Sequence, residues 1–60
     1  MKLNDLLQAF ELLQRVQIVH GEEHVTGEVC AMQKLLSEET LSLKVTCAMA
    51  VDSVLKVWVE

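Results

Sequence analysis

The sequence predicts a small α+β domain, a two-layer sandwich in the order α-β-β-α-β-β with a mostly antiparallel four-stranded sheet and its helices on one face. Three observations carry this. Sixty residues leave room for a single domain, residues 1–60, and no second one. Hydrophobic residues make up 52% of the chain, more than a disordered segment carries, so the chain buries a core. The spacing of those residues alternates between helical and extended along the sequence.

Leu3, Leu6, Leu7, Phe10 and Leu13 lie on one helical stripe, which predicts a first helix over about 4–13, with Asn4 as N-cap and Asp5 near the positive end of the helix. From Arg15 the period changes to two. Arg15–His20 and His24–Val29 are β-branched, alternating and separated by Gly21-Glu22-Glu23, the pattern of a β-hairpin. Residues 30–38 are rich in helix formers and give a second helix, with Val29, Met32, Leu35 and Leu36 on one side. Residues 41–51 then alternate strictly. The run breaks at Asp52-Ser53 and is answered by Val54–Val59, a second hairpin.

With helices on one side of the sheet, the period-two pattern assigns Val16, Ile18, Val25, Leu43, Val45, Cys47, Met49, Leu55, Val57 and Val59 to the covered face. Arg15, Gln17, Val19, Thr26, Glu28, Lys44, Thr46, Ala48, Ala50, Val54, Lys56 and Trp58 fall on the other. That second set is too apolar for a solvated face: Trp58, Val54, Val19 and two alanines form a patch that a monomer seldom exposes.

Charge and composition narrow the function. Five Lys+Arg against nine Asp+Glu, with no basic run, leave the counterion-release term that drives duplex nucleic-acid binding largely absent, and a net charge of -4 is weaker than the dense acidic surface of a duplex mimic, which stays a minor option. The first five residues reach an acid without a long apolar run, so neither a leader peptide nor a membrane span is expected, and the expected location is the cytoplasm. Cys30 and Cys47, without a CxxC and each in an apolar stretch, read as reduced, buried, inert thiols.

Chemistry-bearing motifs are few. His20-Gly21-Glu22-Glu23-His24 gathers ligand types, but Gly21 stands where the zinc-protease helix needs Glu, and the segment reads as a polar turn; no metal or other cofactor is expected. Glu22/Glu23 and Glu38/Glu39 are adjacent and hydrated rather than held apart in a pocket. Gly21 and Gly27 are isolated, so no phosphate loop exists, and the expectation is a non-enzymatic protein. Trp58 stands out instead, a large flat apolar side chain of the type enriched at binding hot spots, on the phase it shares with Lys56. The candidate binding residues are Trp58, Val54, Lys56, Lys44 and Arg15. The three cations could rim a site for one small phosphorylated ligand with the indole stacking on a base.

At Leu6-Leu7, Val16-Gln17-Ile18-Val19, Gly27-Glu28-Val29 and the ending Val51–Val59, nearly the whole chain resembles small phage and prophage accessory proteins of Firmicutes. Cys30, Met32 and Cys47 depart from the charged or aliphatic residues usual there. The resemblance implies an accessory role in the host cytoplasm: binding and blocking, or sequestering, a host component such as a defence system. Together with the apolar patch it gives the leading expectation, a homo-oligomeric binding protein. A sponge for a nucleotide signal held in an oligomer interface, and a purely structural assembly subunit, are the alternatives.

Overall fold

Two hairpins set side by side organise the molecule. The computed structural model describes residues 1–60, with helices α1 (Leu3–Gln8), α2 (Val29–Leu35) and α3 (Glu38–Leu41) and strands β1 (Arg15–His20), β2 (Glu23–Glu28), β3 (Val45–Val51) and β4 (Val54–Val59). The sheet order is β2-β1-β4-β3; β1 and β4 run parallel at its centre, and each pairs antiparallel with its own hairpin partner.

Both hairpins close over two residues. Gly21 supplies the positive φ (63°) that the first turn needs. The second turn places Asp52 at φ 50° and Ser53 at φ 67°, the left-handed region that Asn-Gly fills with least strain. Replacing Asp52-Ser53 by Asn-Gly is therefore expected to stabilise the fold by about 1 kcal/mol. In a chain of this size that raises Tm by about 4–8 °C, measurable by thermal melting; no rise would mean the turn is not strained.

The core forms where the sheet's central strands meet the helices. Val16, Ile18, Leu55, Val57 and Val59 project from β1 and β4 into one buried cluster with Leu3 and Leu7 of α1 and Val29 and Met32 of α2. Gly27 permits this approach, since a Cβ built there would lie 2.7 Å from Cε of Met32. The helices thus cover one face of the central strands, as the periodicity predicts, whereas Val25 of β2, expected beneath them, is exposed.

The helices themselves differ from their predicted bounds. α1 ends at Gln8, and the stripe residues Phe10 and Leu13 are exposed. Beyond the helix the chain runs to the start of α2, where the Leu12 and Gln14 carbonyls accept from the Cys30 and Val29 amides at 3.0 and 2.9 Å, satisfying two of that helix's first amides. Asn4 is not the N-cap. Lys2 holds that place without a side-chain cap, while the Met1–Leu3 segment lies against residues 43–45 in a short antiparallel bridge. The second helix is two: α2 ends at Leu35, and Ser37 opens α3, its hydroxyl accepting from the Thr40 amide at 3.2 Å ahead of Glu38 and Glu39. Leu41 consequently closes a helix rather than opening a strand.

The largest departure is in β3. Val45 pairs with Val59, but Cys47 pairs with Trp58, so Thr46 is an extra residue and the strand carries a bulge. Beyond it every side chain changes face. Cys47, Met49 and Val51 share the phase of Trp58, Lys56 and Val54 on the uncovered face, whereas Ala48 and Ala50 share that of Val57 and Leu55. The expected assignment of Cys47, Met49, Ala48 and Ala50 is reversed, and Cys47, expected in the core, is exposed, while Cys30 is half-buried. The helical layer stops short of β3, leaving Ala48 and Ala50 exposed on its side of the sheet.

Candidate binding face

The uncovered face is built in three rows across the four strands. His24, Val19, Trp58 and Cys47 form the first; Thr26, Gln17, Lys56 and Met49 the second; Glu28, Arg15, Val54 and Val51 the third. Val19, between its ladder neighbours His24 and Trp58, is only 6% exposed, so the face is partly closed by its own side chains. Trp58, Lys56 and Val54 are half-buried, while Met49 and Val51 stay 50% and 45% exposed. The result is an apolar strip along β4 and β3 that no helix covers.

Polar groups frame this strip. The Lys56 ammonium sits 5.1 Å from the centre of the Trp58 ring, a cation–π contact worth about 0.5–1 kcal/mol at an exposed site. The Gln17 side-chain amide lies 3.3 Å from His24 Nδ1, and the Thr46 hydroxyl donates to the Trp58 carbonyl at 3.2 Å. The bulge residue is thereby tied to the strand that carries the indole.

Of the five candidate residues, the structure brings Trp58 and Lys56 together. Val54 and Arg15 are ladder partners two rows from Trp58, about 13 Å along the strands. Lys44 lies beyond Trp58 in the opposite direction, its backbone paired with Glu60. Within one copy the three cations therefore do not converge on the indole. His20 and His24 fall on opposite faces of the sheet, His20 in the row of Val59 and His24 in that of Trp58.

Sequence reasoning missed Cys47, Met49, Val51 and His24 on this face. A parity argument could have found the first three. With a two-residue turn at Asp52-Ser53, an odd-numbered residue of one strand opposes an even-numbered residue of the other, so Met49 cannot share a face with Leu55 and Val57. Elsewhere, a cleft of about 400 Å³ is lined by Lys2, Asn4, Asp5, Glu38, Leu41 and Ser42. It offers two carboxylates beside a lysine, with neither an imidazole nor a thiol. No protein-family model matches the chain, and no curated protein or solved structure matches it either.

Proposed function

We propose that this is a non-enzymatic binding protein that blocks or sequesters a host protein, docking it on the uncovered face of the sheet with Trp58 as anchor. The observation that carries the reading is the apolar strip of Trp58, Val54, Cys47, Met49 and Val51 lying open on a chain whose helices are committed to the other side. Charge gives the partner a character. The face holds Arg15, Lys44 and Lys56 against Glu28 and Glu60, although the whole chain is acidic at -4. An apolar surface rimmed by carboxylates complements it.

The test is Trp58→Ala. Because the indole is half-buried on a face outside the core cluster, the variant should keep its circular dichroism spectrum while losing about 2 kcal/mol or more of binding, at least about thirtyfold in Kd. Wild type and variant are compared by affinity capture from host lysate, followed by titration with the captured protein. A folded variant that binds as tightly as wild type removes the indole from the interface.

A further inference from the structure

The two edges of the sheet differ sharply. β2 reads Glu-His-Val-Thr-Gly-Glu, charged at both ends, and runs straight into α2. β3 reads Val-Thr-Cys-Ala-Met-Ala-Val, with no charge, Pro or Gly, and is exposed from Thr46 onward. Natural edges are normally guarded by such residues against strand addition, and this one is not.

Ladder geometry states which backbone groups are free. Lys44 and Glu60 exchange both backbone hydrogen bonds at 3.0 Å, and a two-residue turn makes Val51 and Val54 another such pair. By alternation Met49 and Cys47 turn their amides and carbonyls toward β4, and Ala48 and Ala50 turn theirs outward. On that outer side the edge at residues 43–45 is already taken: the Leu3 amide donates to the Leu43 carbonyl and the Val45 amide to the Met1 carbonyl, both at 2.9 Å. The open edge is a window from Thr46 to Val51, stopped at one end by the Met1–Leu3 segment and at the other by the turn.

We infer that this window is filled by the same window of a second copy, paired antiparallel about a two-fold axis at Met49, so that two four-stranded sheets become one of eight strands. The register follows from the stops. An axis at Ala48 would carry the second copy's Asp52 to the level of Lys44, where Lys2 holds the edge; an axis at Ala50 would pair only three residues. An axis at Met49 pairs Cys47 with Val51, Ala48 with Ala50 and Met49 with itself. Like faces meet throughout, and the two Ala48–Ala50 pairs make four backbone hydrogen bonds. No charges oppose one another inside the window. At each end the second copy's Asp52 comes level with Thr46, about 7 Å along and about 5 Å across the strands from Lys44, a separation comparable with the Debye length of about 8 Å at physiological salt. This attraction occurs twice by symmetry, which favours a second copy over an unrelated strand. The pairing also makes the two strips of Met49, Cys47 and Val51 continuous.

The test uses the full chain. Size exclusion with light scattering should give twice the 6.8 kDa chain mass. Met49→Cys with both native cysteines changed to Ser should form a disulfide dimer almost completely under mild oxidation, because residues directly opposite at a non-hydrogen-bonded position are about 4.5 Å apart between Cα atoms. Cys47 alone, with Cys30→Ser, should not, its two copies lying about 13 Å apart. Ala50→Pro removes an outward amide without touching the β4 ladder and should give a folded monomer. A monomeric wild type, a folded Ala50→Pro that remains dimeric, or cross-linking through Cys47 as complete as through Met49→Cys would each overturn the inference. Trp58→Ala should leave the dimer intact, so failure of the host-partner reading and failure of this one give different results.

Discussion

Leu7→Ala is expected to remove most of the stability of this protein. Leu7 and Leu3 are the two fully buried side chains of α1, a six-residue helix with no side-chain cap. A helix that short does not persist in water on propensity; it exists because those two leucines pack on Met32, Val29 and the central strands. Truncating a buried Leu costs about 2–5 kcal/mol, and a chain this size has only about 3–9 kcal/mol in total. The melting temperature should fall by at least about 10 °C, with a lower denaturant midpoint. Leu13→Ala, at a side chain 71% exposed, should change stability by no more than about 0.5 kcal/mol. Equal losses at the two positions would contradict the end of the helix at Gln8.

Val57→Asp should unfold the chain at neutral pH, whereas Lys56→Asp, one residue away, should not. Val57 is fully buried between Ile18 and Ala48, and nothing in the cluster around it can accept or neutralise a charge. An unpaired buried carboxylate costs several kcal/mol, so burial drives the introduced carboxyl toward its neutral form and its folded-state pKa above the unfolded one. The sign then follows. The protonated form costs the fold less than the charged one, so the deficit is smallest below the unfolded pKa of about 3.9 and grows as pH rises through the window above it. Acidification from neutrality to about pH 3 should recover part of the native secondary structure in circular dichroism, measured against the wild type at the same pH. The Lys56→Asp variant should show no such recovery, because its side chain lies on the uncovered face. A Val57→Asp chain that folds at pH 7 would mean that β4 presents the wrong face to the helices.

The contrast between the strands shows what was legible in advance. Val16, Ile18, Leu55, Val57 and Val59 were assignable to the covered face because the β1–β4 register runs without a bulge, so a period of two holds along both strands. β3 alternates just as cleanly in sequence, yet Thr46 slips one residue and inverts the remainder. Periodicity reports a phase within a strand; only the pairing fixes that phase relative to its neighbours. Trp58 and Lys56 could be placed together from their spacing alone. The distance between Arg15 and Lys44 depended on a strand order that hydrophobic patterning does not encode. The early end of α1 was likewise a tertiary effect, accompanied by the carbonyls that cap α2, whereas the separation of α2 from α3 is local, the Ser37 hydroxyl accepting from the Thr40 amide three residues on.

The parallel β1–β4 ladder has a kinetic meaning. Each hairpin closes over two residues, but every pair across that ladder spans 39 positions, and the Gln14 side chain bridges the same interval by donating to the Ser53 carbonyl at 3.0 Å. An isolated two-stranded hairpin is at best marginal in water, so neither half holds until the long closure is made. Collapse of this small polypeptide should therefore wait on a single non-local encounter between two fast, unstable halves, giving one cooperative transition rather than a staged one.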